Sequence, residues 1–150
     1  MEKIIVNTDG GSRGNPGLAG CGAVVQNKKG EILKKASRAL GTMTNNEAEY
    51  EAVILGLETL KKTFGTDKLK NFEIEFRLDS QLVVSQLSGI YQIKEERLYP
   101  MFMKIWNAQV KDFPKLKFTY IPREENKIAD GLANEAMDGA TSVGRAESLF

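Results

Sequence analysis

Histidine is absent from the 150 residues of this chain. That absence excludes His-based triads, haem ligation by His and the usual catalytic zinc sites, and it turns any catalysis toward carboxylates, Lys, Ser or metal–oxygen chemistry. The single cysteine, Cys21, rules out an internal disulfide framework and fits a reducing compartment. No apolar run is long enough to span a membrane, and Met1-Glu2-Lys3 leads directly into a strand pattern without a signal peptide. The chain is therefore expected to be cytoplasmic, away from membranes and monomeric. Charge of one sign is not in excess either: the net charge is +1, whereas strong nucleic-acid binders are usually more basic, so the total identifies no partner. What remains is a composition 41% hydrophobic and 27% charged, that of a folded domain long enough to bury a proper core.

The run Ile4-Ile5-Val6-Asn7-Thr8-Asp9 reads as a buried strand over 3–9, too short and too β-branched for a helix. It delivers Asp9 into a stretch of small residues, Gly10 to Gly17, that reads as a loop. Cys21 to Val25 is a second strand, Lys28-Lys29-Gly30 a hairpin signal and Ile32 to Leu40 a third strand, which together suggest an antiparallel meander. Thr44-Asn45-Asn46-Glu47 is a capping box, and Val53, Leu57, Leu60 and Phe64 recur at helical spacing, so the pattern predicts a helix over 44–64 with Glu49 at the head of an inward stripe. Residues 72–79 alternate, with Phe72, Ile74, Phe76 and Leu78 on one side and Glu73, Glu75, Arg77 and Asp79 on the other. Asp79-Ser80 can cap a short helix over Gln81–Leu87, broken at Gly89. A helix over 94–111 turns Leu98, Phe102, Ile105 and Trp106 inward, with Pro100 in its first turn or at a kink. A last strand, 117–121, ends at Pro122, and a helix over 127–137 packs through Ala129, Leu132, Ala133 and Ala136. This order gives one α/β layered domain, a mixed sheet with helices on its faces, over residues 1–138; the Gly-, Ser- and Ala-rich segment 139–150 is expected to be a flexible tail.

Four acids stand at element ends: Asp9, Glu49, Asp79 and Asp130. Each has an ordinary explanation taken singly, since Asp79 is a fitting N-cap and Glu49 and Asp130 lie in first helical turns where the dipole favours an acid. Brought together they would repel and raise one another's pKa unless cations sat between them. Oxygen ligands of this kind, with no Cys or His, choose Mg²⁺ or Mn²⁺, and two such ions suit in-line attack on a phosphodiester. Other motifs fail. Gly10 to Gly17 lacks the Gly-Lys-Ser/Thr ending of a P-loop, and Ser12 and Ser80 have no base partner.

Thr8-Asp9-Gly10-Gly11-Ser12-Arg13-Gly14-Asn15-Pro16-Gly17, Thr44-Asn45-Asn46-Glu47-Ala48-Glu49-Tyr50, Asp79-Ser80-Gln81-Leu82-Val83 and Pro122-Arg123-Glu124-Glu125-Asn126-Lys127-Ile128-Ala129-Asp130 resemble, in order, the motifs of ribonuclease H type 1. The resemblance implies a ribonuclease H-like fold with a five-stranded mixed sheet in the order 3-2-1-4-5, strands 1–3 antiparallel, flanked by helices on both faces. It implies hydrolysis of the RNA strand of an RNA–DNA hybrid with two Mg²⁺ ions, Mn²⁺ being a substitute, to give 5′-phosphate and 3′-hydroxyl ends. Asp9, Glu49, Asp79 and Asp130 match the family's metal-binding catalytic acids. Gly11 (through its backbone), Asn15, Asn45 and Gln81 match positions that touch the hybrid's minor groove and the RNA 2′-hydroxyls, and Thr44 matches a residue that holds a DNA phosphate. Two departures stand out. The loop before the last helix has no histidine, where Arg123 or Glu124 stands in its place, and the segment 89–97 is short where some members carry a long basic handle.

Overall fold

The first strand is organised by close packing rather than by its apolar run alone. In the computed structural model, which describes residues 2–148 and the side chains through Gly139, β1 (Lys3–Gly14) does not stop at Asp9. It runs on through the glycines and pairs antiparallel with β2 (Gly17–Asn27) from Ile4↔Asn27 to Gly14↔Gly17, turning at Asn15-Pro16. The loop expected over Gly10 to Gly17 is thus strand and tight turn. Close neighbours require glycine at Gly10 and, on β2, at Gly22: a Cβ on Gly10 would enter the Ala48 carbonyl, and one on Gly22 would lie 2.5 Å from the Leu132 Cβ and 2.7 Å from the Ala129 carbonyl oxygen. Spacing alone does not separate a glycine kept for an approaching backbone from one kept for a turn.

β3 (Ile32–Met43) completes the antiparallel meander, and β4 (Glu73–Leu78) and β5 (Leu116–Tyr120) add to the other side of β1 in parallel. The sheet order is β3-β2-β1-β4-β5, as the family resemblance implies. Alternation along the strands serves two layers. Ile4, Val6, Cys21, Ala23, Val25, Ile74 and Phe76 pack with α1 (Asn45–Phe64), whose Gly56 lets Phe76 and Val6 approach. Gly20 and Gly22 receive α5 (Lys127–Ser148) through Ala129, Leu132, Ala133 and Met137. Thr44 caps α1 by accepting from the Glu47 N–H at 3.2 Å while Glu47 Oε1 accepts from the Thr44 N–H at 3.0 Å. Among the described residues no helix is long and apolar enough to cross a membrane.

The remaining helices refine the pattern. A single turn, α2 (Thr66–Leu69), precedes β4; α3 (Gln81–Leu87) is capped by Ser80 as expected. The helix expected from Lys94 begins later: a 3₁₀ turn at Glu96–Leu98 leads into α4 (Tyr99–Asp112), with Pro100 in the first turn. Trp106 does not enter the core. It is 50% exposed and stacks on Phe102, because Leu98 and Ile105 already fill the face that α4 turns to α1. The helix α5, expected to end at 137, continues to Ser148, so the backbone of 139–148 is helical where a tail was expected; Leu149, Phe150 and the side chains of 140–148 lie outside the described residues.

Candidate active site

The acids meet where β1 outruns its parallel neighbour. β1 and β4 pair from Lys3↔Glu73 to Asn7↔Arg77, and Asp9 lies two residues further on, opposite Gly22. Asp79 follows the last residue of β4. The bare Gly10 admits the α1 backbone at Ala48, which sets Glu49 beside the strand. On the opposite layer the bare Gly22, paired with Asp9, admits α5 at Ala129 and so brings Asp130 to the same place. One carboxylate oxygen from each of Asp9, Glu49 and Asp79 lies within 4.8 Å of the others. Asp130 stands outside this tight trio but is hydrogen-bonded to Asp9. All four acids singled out in the sequence therefore share one site.

Their crowding shows in their protonation. Burial, reinforced by the charge of Asp79, the hydrogen bond to Asp130 and the charges of Asp130 and Glu49, pushes Asp9 up to about 8. Burial likewise pushes Glu49 up to about 7, with a hydrogen bond to Ser80 and the charge of Arg123 opposing and the charge of Asp79 adding. Glu49 Oε2 is buried with no hydrogen-bond partner among the described residues. Carboxylates that crowd one another and leave an oxygen unmatched fit a hard divalent cation, since such a cation replaces repulsion by coordination and prefers oxygen. The donor set contains no nitrogen or sulfur to favour a softer metal.

Beside the acids, the β1–β2 turn is laced to the start of α1. Asn15 Oδ1 accepts from the Asn45 N–H at 3.0 Å, and Asn45 Oδ1 accepts from the Ser12 N–H at 2.9 Å and from its hydroxyl at 3.0 Å. Both carboxamide oxygens are thus engaged inside the protein, and the NH₂ groups are the donors a ligand can meet. These two residues, with Thr44 and Asn46, line a groove of about 860 Å³ whose far wall is Glu95 and Arg97. Asn46 donates to Glu95 at 2.9 Å, and Arg97 reaches Glu47 at 3.7 Å. Gln81 opens α3 and donates to Ser85 Oγ at 3.1 Å, while Gly11 has open space where a Cβ would stand, with only Asn45 Oδ1 at 4.0 Å. Tyr91, in the short segment 89–97, is 52% exposed.

Of three residues near the acids, Ser80 and Asn126 carry no site role in the sequence pattern, and Arg123 was expected only in the place of the absent loop histidine. Ser80 was recognised only as a possible cap, yet it also hydrogen-bonds to Glu49. Arg123, in the 3₁₀ turn Arg123–Glu125, is close enough to Glu49 for its charge to be felt there. Asn126 is buried and donates to Asp79 Oδ2 at 3.1 Å. Only Ser80 carries a local signal, its place directly after Asp79; the contacts of the other two join segments far apart in the chain.

A mixed sheet in this order, with an acid cluster at the point where the central strand passes its parallel neighbour, defines a ribonuclease H-like α/β protein with a candidate centre for hard cations. A sequence-family profile described as "Reverse transcriptase-like" matches residues 7–136. Among solved structures, LC11-RNase H1, isolated from compost by a metagenomic approach, is 49% identical with a TM-score of 0.89 over 94% of this chain and 99% of its own. RNase H1 from Halobacterium salinarum NRC-1 is 38% identical with a TM-score of 0.82 over 91% of this chain and 98% of its own. The bifunctional protein Rv2228c of Mycobacterium tuberculosis is 38% identical over 147 residues, which are 97% of this chain but 38% of that protein. The chain thus spans little more than a third of the length of such mycobacterial relatives. The chain belongs to the ribonuclease H type 1 family.

Proposed function

We propose that this protein is an endoribonuclease that hydrolyses the RNA strand of RNA–DNA hybrids, leaving 5′-phosphate and 3′-hydroxyl ends. The observation that carries the reading is the convergence of Asp9, Glu49 and Asp79 within 4.8 Å, in a chain of this family. LC11-RNase H1, 48% identical, has been seen in complex with an RNA/DNA hybrid, which supports the same substrate here. Asp9, Glu49, Asp79 and Asp130 would hold two Mg²⁺ ions, or Mn²⁺ in their place, which when bound would supply activation of a water and stabilisation of the leaving 3′-oxygen. The chain's own residues do the rest. Asn15, Asn45, Gln81 and the Gly11 backbone meet 2′-hydroxyls and the minor groove, where short amides distinguish RNA from DNA. Thr44, at the N-terminus of the 20-residue helix α1, holds a DNA phosphate against a helix end already suited to an anion. Arg123 stands where a loop histidine is often found and offsets the charge of Glu49. The protein acts as a cytoplasmic monomer, with residues 1–138 as the hydrolytic domain.

Asp9→Asn abolishes cleavage while hybrid binding in Ca²⁺ survives; equal loss of binding would argue against a catalytic role for Asp9. Asn15→Ala and Gln81→Ala each slow hybrid cleavage by roughly 2- to 10-fold, the worth of one hydrogen bond, with little change in unfolding temperature. Unchanged rates would remove these two residues from the substrate contact. Presenting hybrid, double-stranded DNA, single-stranded RNA and branched DNA side by side separates this activity from that of another nuclease on the same architecture.

A further inference from the structure

The turn that joins β5 to α5 holds a side chain on which the acid cluster leans. Asn126 is 1% exposed. Its Nδ2 donates to the Thr8 carbonyl at 2.9 Å and to Asp79 Oδ2 at 3.1 Å. Its own carbonyl accepts from the Asp130 N–H at 3.1 Å, opening α5. A single residue thus touches the chain neighbour of Asp9, the carboxylate of Asp79 and the backbone of Asp130.

Packing alone does not account for it. Asn126 Oδ1 is buried without a hydrogen-bond partner among the described residues, a destabilising arrangement that an apolar side chain would avoid. What the carboxamide adds is a fixed donor. An ionised carboxylate only accepts, so a donor anchored on the Thr8 carbonyl selects one orientation of Asp79 at the end of β4. Without that donor, repulsion from Asp9 and Glu49 would turn the Asp79 carboxylate away from them.

We propose that Asn126 is a positioning residue of the hydrolytic site: it locks the Asp79 carboxylate against β1 and seats the first turn of α5, with Asp130, on the same anchor. The inference rests on the reading that these acids serve hybrid cleavage. Asn126 acts through Asp79 and Asp130 and is not itself a catalytic residue. Groups that orient ligands in this way change metal affinity or activity by about 10- to 100-fold when removed.

The test is steady-state cleavage of a labelled hybrid by Asn126→Ala across a Mg²⁺ titration. The expected result is a kcat lower by about 10- to 100-fold, a higher Mg²⁺ concentration at half-maximal rate, and a KM for hybrid within about 2-fold of the parent. An unchanged kcat and Mg²⁺ dependence would overturn the proposal, as would a raised KM at unchanged kcat, which would make Asn126 a substrate contact. Should the variant fail to fold, the unsubstituted protein decides. The ¹⁵N-resolved side-chain amide of Asn126 must shift with Mg²⁺ at the same midpoint as the Asp9 and Asp79 backbone signals, and a resonance unmoved at saturation overturns the proposal. Failure of the unsubstituted protein to cut hybrid would instead count against the activity, and the amide titration would still report on the positioning.

Discussion

Asp9 ties the chemistry of the site to the stability of the fold. Its carboxyl is raised from 3.8 to about 8, with Glu49 following to about 7, so between these limits the folded protein holds protons that the unfolded chain has released. The sign follows from linkage: where the native state binds more protons, stability falls as pH rises, here from about pH 4 to about pH 8, and then levels off. In EDTA, Asp9→Asn is expected to stabilise the protein by roughly 1–2 kcal/mol at pH 8.5, with little effect near pH 4, while removing activity. Thermal unfolding at the two pH values checks it; an equal effect at both would show that Asp9 is not held protonated by its neighbours. At this scale the four acids were legible because the pattern put each at the end or start of an expected element, although β1 runs on past Asp9 and Glu49 lies beyond the first turn of α1. Asn126 was not, since its side-chain partners Thr8 and Asp79 are 118 and 47 positions away. Glu75 was misjudged for a similar reason. Alternation put it on the polar side of β4, yet it is 5% exposed, because Lys3 on a neighbouring strand reaches it at 3.0 Å.

At the scale of elements, helices and strands are placed by what they leave out. Gly10 and Gly22 let α1 and α5 press on opposite layers of the sheet, and each contact delivers an acid one residue along, Glu49 after Ala48 and Asp130 after Ala129. Gly22→Ala is therefore expected to destabilise by about 1–3 kcal/mol, since backbone and not a flexible side chain must give way. The same substitution should lower hybrid cleavage by displacing Asp130 from Asp9. Unfolding curves and rates together test it, and a loss of stability with full activity would break the link between this packing and the site. The sequence pattern missed this role because glycine spacing looks alike in a loop and in a close-packed strand. It also missed the outward turn of Trp106, since helical periodicity marks an apolar stripe without saying which part of it the neighbouring helix covers. Capping chemistry is local and was read correctly for Thr44 with Glu47; at α3 the pattern offered Asp79-Ser80, and it is Ser80, not Asp79, that accepts from the Val83 N–H.

Across the whole molecule, two sets of carboxylates pull the pH optimum of stability in opposite directions. Burial alone would raise Glu75, but hydrogen bonds from Thr119, Lys3 and Arg77 outweigh it and hold the carboxyl down at about 2. Its contribution is present above the ordinary Glu value and is lost as pH falls from about 4.5 toward 2. Asp9 and Glu49 oppose it on the alkaline side. Metal-free protein is expected to be most stable near roughly pH 5, and saturating Mg²⁺ to move that maximum toward neutrality. A maximum that stays put on adding Mg²⁺ would count against cation binding at these acids. The sheet order and the layering were legible at this scale because four motifs in family order span most of the chain, and a fold follows from many such agreements at once.

The central claim is that acids distant in the sequence form one cation-dependent hydrolytic centre for hybrids. The most direct measurement is cleavage of an RNA–DNA hybrid labelled on each strand, in Mg²⁺ and in EDTA. The account predicts internal cuts in the RNA strand alone, with 5′-phosphate and 3′-hydroxyl ends, stopped by EDTA and by Asp9→Asn. An intact RNA strand in Mg²⁺, or cleavage that persists in EDTA, would contradict it.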